Sequence, residues 1–480
     1  MTSNKPTPIS RFAPSPTGNI HLGNVRTALF SYLLAKHLHG DFILRCEDTD
    51  QERSDEAFLQ QQQRDLRWLG LDWSAGPDMD SAHGPYRQSQ RFEIYDGFYK
   101  DLIEKGIAYA CFCSPQELKM MRKAQMQSGR PPRYSGTCRH LSADEVAAKF
   151  TNGEKASLRF RVPSDETMQL HDLVVGEKTY HSNDIGDFII RRSDGTPAFF
   201  FCNAIDDSLM GVTHVLRGVD HLTNTPRQLM ILNALNLRAP EYGHISLVVG
   251  ADGGPLSKRD GSTGVKDLRE AGYLPEAIVN HLARLGHHYA NNDLMPLAQL
   301  AKEFALEHCG RSPSKHDPVQ LLHWQKEAVL AADESELLAW LAPWLEQSPA
   351  YQASNPETRS HFFQTIKDNI ALPVDAVQWA DKLLGDSVAY SDKAREQLQS
   401  ASAELFDDLA DRVKQNETQA FGALVKESGK ALGIKGKALF MPIRAALSGE
   451  TFGPEMPRIA ELLGPEKIIQ RLHKAQEQIV

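Results

Sequence analysis

The tract Arg11-Phe-Ala-Pro-Ser-Pro-Thr-Gly-Asn-Ile-His21-Leu-Gly23-Asn24 constrains this chain more than any other. Ahead of it, Ile9–Ala13 reads as a short strand ending at Pro14. Behind it, Val25, Leu29, Leu33 and Leu34 recur at helical spacing, and Gly40 offers a stop. Phe42-Ile-Leu-Arg-Cys46 then reads as a buried strand. Strand, turn, amphipathic helix and strand make a βαβ opening and predict a parallel sheet. The turn also suits chemistry. Its prolines stiffen it, Gly18 and Gly23 permit close backbone approach, and the first N–H groups of the helix lie open to an anion. His21 is placed to donate to a phosphate or ring oxygen of ATP and to offset charge as the α-phosphate is attacked. Taken alone, the tract also reads as a tight turn with a surface histidine.

A second signature, Gly254-Pro-Leu-Ser257-Lys258-Arg259, follows the apolar run Ile245–Val249. Adjacent cations on a glycine-rich loop suit a leaving pyrophosphate, because their contacts strengthen as charge develops. A lone Ser-Lys-Arg reads as a solvated loop; the two signatures together indicate activation by ATP. Glu47-Asp-Thr-Asp50 ends a presumed central strand, where open α/β sheets bind ligands. Those acids, and Asp206-Asp207, are read either as partners for an amino group or metal, or as solvated and helix-capping carboxylates.

At 480 residues the chain is expected to hold two to four domains. It has no run of 18 apolar residues and no apolar secretory core near its start, which predicts a cytoplasmic protein without a membrane span. A net charge of −9 argues against binding nucleic acid by bulk attraction. Within Lys426–Arg444, however, five cations (Lys426, Lys430, Lys435, Lys437, Arg444) meet one acid, Glu427. That stretch reads equally as a backbone-binding face or a solvated one.

A helix is expected over Asp55–Leu69, ending at Gly70. From about residue 100 to 186 the pattern breaks into short pieces and reads as an insertion. Sheet-like runs return with Asp187–Arg191, Ala198–Cys202, His214–Arg217 and Ile245–Val249, and beyond 262 the chain reads as helical. The insertion holds Cys111-Phe-Cys113 and Cys138-Arg-His140, an inventory that fits tetrahedral zinc, with free buried cysteines as the alternative. A loop-rich insertion without an obvious apolar core gains from such a staple.

In this combination the chain resembles the bacterial glutamyl-tRNA synthetases, which are class I aminoacyl-tRNA synthetases. His21-Leu-Gly23-Asn24 stands in place of that family's HIGH sequence, and Pro255-Leu-Ser-Lys-Arg259 in place of its KMSKS loop. Phe42–Asp50, Trp68–Asp72, Pro85–Ser89, Asp206–Gly211, Tyr273–Ala277 and Leu439–Gly449 resemble family segments in the expected order. The resemblance implies an α/β fold with four parts. These are a split Rossmann-type parallel-sheet catalytic domain (1–99 and 187–250), an inserted α+β acceptor-stem and zinc module (100–186), a helical connector with the KMSKS-like loop (251–325) and an all-helical anticodon-binding region (326–480). It implies that ATP and Mg2+ activate L-glutamate, which then passes to the terminal adenosine of a tRNA, in a monomer.

Carried over by motif, Ala13, Pro14, Thr17, Gly18, His21, Gly23, Asn24, Ser257, Lys258 and Arg259 would bind ATP, with His21 and Lys258 catalytic. Arg11, Ser15, Glu47, Phe199, Asn203 and Arg217 would bind glutamate, Arg217 at the α-carboxylate. Cys111, Cys113, Cys138 and His140 match the zinc set of some members. Four positions depart from the family pattern: Phe199 replaces a common tyrosine, Val219 a frequent acid, Pro255 the first lysine of KMSKS, and Asp260 a common histidine. Members strict for the glutamate tRNA read its last anticodon base with an arginine near the position of Asn369, and no arginine lies between His361 and Asp392. This leans toward charging the glutamine tRNA as well, or mainly. Other readings are a truncated tRNA-modifying paralogue, a glutaminyl-tRNA synthetase, a small-molecule nucleotidyltransferase, and a tRNA-binding regulator with a decayed site.

Overall fold

The computed structural model describes residues 7–79, 81–129, 131–250, 252–254, 256, 264–416 and 419–479. It divides into two compact units, one comprising residues up to Arg269 with Pro275–Leu321, the other Glu270–Leu274 with the chain from Leu322 on. The strands run, in chain order, β1 (Ile9–Phe12), β2 (Asp41–Leu44), β3 (Ala108–Cys111), β4 (Ser157–Phe160), β5 (Thr167–Asp172), β6 (Gly176–His181), β7 (Phe188–Arg191), β8 (His214–Gly218), β9 (Glu241–Ile245), β10 (Val248–Val249) and β11 (Ser314–Lys315).

In the first unit, β2, β1, β8 and β9 lie in that order as a parallel sheet, with Ile9 opposite Asp41, Ser10 opposite His214 and His214 opposite Glu241. The carboxyl ends of these strands therefore open on the same side, carrying Ala13–Asn24, Glu47, and the residues after Gly218 and Ile245. The first helix, Leu22–His37, is more deeply buried than its expected amphipathic pattern. It packs on the sheet and against the helices Pro275–Ala283 and Leu297–Glu303, so Leu22, Val25, Ala28, Leu29, Phe30 and Leu33 are all covered. Buried Arg26 ties it down, donating to the carbonyls of Leu285 (2.9 Å) and Ser246. The second helix begins at Glu56 because Asp55 caps it through the Ala57 N–H. Gly70, at φ +78°, lies just past its end.

Between the two halves of the parallel sheet, β3, β4 and β7 form an antiparallel sheet, and β5 and β6 a hairpin. Asp187–Arg191 was expected to mark the return of the parallel sheet, but β7 pairs antiparallel with β4. Ala198–Cys202 differs in type, for Phe199–Leu209 is a helix. A short run of apolar residues has no period of its own to separate strand from helix. The polar residues that follow decide it: Asn203, Asp206 and Asp207 are all buried at helical spacing and each needs a partner. The two aspartates lie inside this helix and cap nothing.

Ile245–Val249, expected as one strand, breaks into β9 and β10 at Ser246-Leu247. The Ser246 carbonyl turns to Arg26 and the Leu247 carbonyl to the Ser314 N–H. β10 pairs in parallel with β11, a strand in a stretch read as wholly helical.

The second unit is built of helices around one core. Its pattern is plain in Leu337, Leu341 and Leu345, and again in Leu405, Leu409 and Val413, where every fourth residue is buried. No described helix of the chain is long and apolar enough to cross a membrane.

Candidate active site

At the carboxyl ends of the parallel strands lies an open cavity of about 460 Å³. Arg11, Ala13, Pro14, Ser15, Thr17, His21, Gly23, Asn24, Glu47, Phe199, Asn203 and Arg217 all line it. Residues 11–24 reach it as β1 and the turn into the first helix, Arg217 from β8, and Phe199 and Asn203 from the helix Phe199–Leu209. Gly18 does not line it; its carbonyl accepts from Gln62 at 3.0 Å. Ser257, Lys258, Arg259, Pro255 and Asp260 lie outside the described residues.

The flanks of that second signature do reach the first. Gly264 bridges to His21, the Val265 N–H points to the Ile20 carbonyl at 3.4 Å, and Val248 sits against Gly23. A β-carbon at Gly23 would meet the His21 ring at 3.4 Å, so the glycine lets the ring lie over the backbone. His21 is exposed on its outer side, and its enclosure on the other lowers its pKa, favouring the neutral ring at neutral pH.

The floor of the cavity is one continuous chain of buried polar groups. Arg11 donates from Nε and Nη2 to the two Asp207 oxygens, at 3.1 and 3.2 Å. Arg45 bridges Asp207 (2.6 Å) and Glu47 (3.0 Å). Glu47 accepts from Asn203 Nδ2 at 2.6 Å, Asn203 from Gln228 at 2.8 Å, and Gln228 from Arg217 Nη2 at 2.6 Å. Burial alone would raise the Asp207 pKa, yet Arg11 and Arg45 hold it below the usual carboxylate range. Burial wins at Glu47, whose pKa is raised despite Arg45 and Arg11. Burial likewise lowers the Arg217 guanidinium to about 10, which leaves it charged at neutral pH. Its Nη1 is buried without a protein partner. An unpaired guanidinium N–H on a cavity wall is costly unless a ligand completes it.

Of the acids in Glu47–Asp50, only Glu47 faces the cavity. Asp48 accepts from the Ser89 N–H (2.8 Å) and hydroxyl (2.7 Å), and exposed Asp50 pairs with Arg53. The Asp206-Asp207 pair also divides. Asp206 turns away to Arg91 (2.7 Å), Gln88 (2.9 Å) and Tyr95 (2.8 Å), holding the Pro85–Ser89 segment in place. The cavity lining also includes residues the sequence did not signal: Phe12, Arg26, Thr27, Leu216, Gly218, Asp220, His221, Ser246, Leu247 and Val248. Phe12, Leu216, Gly218 and Val248 lie within strands and Arg26 and Thr27 within the first helix, while Asp220, His221, Ser246 and Leu247 follow strand ends.

The second cluster is the thiol group. Cys111, Cys113 and Cys138 bring their sulfurs within 4.8 Å of one another, whereas His140 is exposed and outside the group. The Cys113–Cys138 separation is 3.7 Å, close to the edge of a tetrahedron with Zn–S bonds of about 2.3 Å. The Tyr134 hydroxyl lies 3.4 Å from both Cys111 and Cys113 and accepts from the Cys138 N–H at 2.9 Å. Tyr134, and not the expected His140, stands beside the three sulfurs. The donor set fits zinc.

A parallel sheet with a proline- and glycine-rich turn after its first strand, a cavity wall bearing Arg11 and Arg217 and a separate helical unit are the features of a class I tRNA synthetase. Residues 9–323 match the family model for the catalytic domain of class I tRNA synthetases (E and Q), and residues 336–476 that of an anticodon-binding domain. The chain belongs to the glutamate–tRNA ligase family. It is 50% identical over 470 residues to glutamate–tRNA ligase 2 of Nitrosococcus oceani, covering 98% of each chain. It is 48% identical over 474 residues to that of Coxiella burnetii, covering 97% of this chain and 99% of the relative. Among solved structures it is similar to a glutamate tRNA ligase from Elizabethkingia meningosepticum in complex with its amino acid. That match has a TM-score of 0.86 and 29% identity, and covers 99% of this chain and 100% of the other.

Proposed function

We propose that this cavity activates L-glutamate with ATP and that the chain transfers it to the 3′-terminal adenosine of tRNA, as a monomer in the cytoplasm. Glutamate–tRNA ligation follows from family membership and from full-length identity near one half to glutamate–tRNA ligases. The observation that carries the residue assignment is the unpaired Nη1 of Arg217 on the cavity wall, with Arg11, Glu47 and Asn203 beside it.

In this reading Arg217 receives the α-carboxylate, Glu47 and Ser15 meet the amino group, and Arg11 meets the second carboxylate. The activated carboxylate oxygen attacks the α-phosphate of ATP and pyrophosphate leaves. Neutral His21 donates to the phosphate under attack, and Lys258 neutralises the departing charge. Mg2+, which class I synthetases use generally, would supply charge to offset that of the phosphates. Ala13, Pro14, Thr17, Gly23 and Asn24 supply the walls and backbone donors for the nucleotide, and Gly18 keeps the turn open. The 2′-hydroxyl of the tRNA then attacks the glutamyl carbonyl and AMP leaves.

Residues 100–186 would approach the acceptor stem, 251–325 connect, and 326–480 bind the anticodon. The four exposed lysines of 426–437 favour phosphate contact. The thiol cluster would hold one structural zinc through Cys111, Cys113, Cys138 and the Tyr134 hydroxyl, with Tyr134 taking the place expected of His140. Zinc there would staple the Cys111 end of β3 to the loop of Tyr134 and Cys138.

The test is charging with labelled glutamate, ATP and Mg2+, using glutamate-tRNA and glutamine-tRNA transcripts in parallel. Acylation of the glutamate tRNA is expected. Comparable acylation of the glutamine tRNA supports relaxed choice, which the lack of an arginine in the sequence between His361 and Asp392 favours; charging of the glutamate tRNA alone refutes it. No charging of either, with natively modified tRNA also inert, refutes the assignment.

A further inference from the structure

We propose that Asp172 and His244 are positioning residues for the amino-acid clamp: Asp172 sets the tautomer of His244, and His244 sets the direction of the Arg217 guanidinium. The inference rests on the reading of Arg217 as the α-carboxylate ligand.

A guanidinium carries five N–H donors in a fixed plane. Arg217 uses Nε toward His244 Nε2 (3.1 Å), and Nη2 toward Thr225 Oγ1 (2.8 Å) and Gln228 Oε1 (2.6 Å). Its other nitrogen, Nη1, has no protein partner. Three bonds on one edge thus aim the opposite corner into the cavity. Of the three acceptors, two are neutral side chains whose acceptor atoms are fixed by their chemistry. His244 is different: its Nε2 accepts only if the ring proton sits on Nδ1.

Asp172 makes that choice. It stands at the end of β5, outside the parallel sheet, and its side chain is fully buried, as is that of His244. Its Oδ1 accepts three backbone N–H groups, from Val174 (3.0 Å), Val175 (2.9 Å) and His244 (3.1 Å). Its Oδ2 pairs with His244 Nδ1. An ionised carboxylate only accepts, so Nδ1 must carry the hydrogen and Nε2 must present its lone pair to Arg217 Nε and to the Thr225 hydroxyl, itself 3.1 Å away. Burial lowers the His244 pKa, so the ring stays neutral beside the cation. With the proton moved to Nε2, two N–H groups would face each other at the Arg217 Nε contact.

Asp172→Asn turns this into an experiment. Three N–H donors hold the amide oxygen at the Oδ1 position, so the new NH2 faces Nδ1 and drives the ring proton to Nε2. The KM for glutamate in the charging reaction is expected to rise roughly 10- to 100-fold, the size of a lost bond to a charged group, with the KM for ATP little changed. Glutamol, which has a hydroxymethyl group in place of the α-carboxylate, separates aiming from general damage. Its inhibition constant should not move in Asp172→Asn. Arg217→Gln serves as the reference, raising the glutamate KM and leaving glutamol inhibition unchanged.

If Arg217→Gln weakens glutamate and glutamol alike, the α-carboxylate reading fails. If it discriminates and Asp172→Asn does not, or if Asp172→Asn weakens both ligands equally, the positioning role is overturned. Nitrogen-15 NMR of the wild-type enzyme labelled at histidine, with His244 assigned by its loss in His244→Gln, gives a test that needs no stable Asp172 variant. The Nδ1–H tautomer is expected; the Nε2–H tautomer refutes the proposal.

Discussion

Arg45 shows how much of the site depends on single side chains. It is fully buried and sits between two carboxylates, Asp207 and Glu47. Removing a buried cation leaves its partners charged and desolvated, which costs more than the pair had gained. Arg45→Met is therefore expected to destabilise the chain by about 3–5 kcal/mol in urea unfolding. A loss under about 1 kcal/mol would show that Arg11 alone satisfies Asp207. Phe199 is another residue whose consequence is local. Its ring centroid lies 5.3 Å from that of His221 and it offers no hydroxyl to the cavity, where the family commonly has tyrosine.

At the scale of elements, the thiol cluster joins the Cys111 end of β3 to the loop carrying Tyr134 and Cys138, near helices with little buried surface. No residue of Pro115–Gln127 or Ala143–Thr151 is fully buried. About one zinc per chain is expected by elemental analysis. Cys113→Ser and Tyr134→Phe should lower the zinc content, while His140→Ala should retain it. Zinc loss in His140→Ala with retention in Tyr134→Phe would restore the histidine as ligand.

The helix Lys437–Ser448 ends at Gly449 with φ +74°, and a β-carbon there would lie 2.2 Å from the Ala389 carbonyl. Strain and overpacking add, so Gly449→Ala should destabilise the helical unit by about 2–4 kcal/mol, read from the loss of helical circular dichroism on heating. An unchanged melting curve would mean that the Ala389 segment yields freely.

For the whole molecule, acid sensitivity follows from histidines buried without charge. Burial lowers His281, which contacts His316, to about 3, and His287, near His308 and His288, to about 4. Unfolded, both would titrate near pH 6.5. Between these values the unfolded chain binds more protons, so stability falls as pH drops below about 6.5, and each histidine contributes about 1.4 kcal/mol per unit until its folded pKa is reached. Urea midpoints at pH 7.5, 6 and 5 should decline in that order. A flat profile would mean that these rings are protonated in the fold.

The sequence by itself determined the parallel sheet, the turn before the first helix and most of the cavity lining. The sheet and the turn depend on local period and on proline and glycine, whereas Arg11, Ser15, Phe199, Asn203 and Arg217 were named through the family resemblance. It also determined the helical character of the second unit, where Leu337, Leu341 and Leu345 declare their spacing. Tertiary structure alone decided which of two adjacent groups faces the site. Glu47 lines the cavity and Asp48 does not; Asp207 lies behind it on Arg11 and Arg45 while Asp206 turns to Arg91, and neighbours on one chain differ only in the partners brought to them. It decided that Phe199–Leu209 is a helix, because buried Asn203 and Asp207 must meet Glu47 and Arg11. It exchanged His140 for Tyr134 beside the thiols, since distance along the chain does not measure distance across a fold. It also brought Asp172 to His244 and Arg217, because hydrogen-bond accounts are settled by whatever the fold places within about 3 Å.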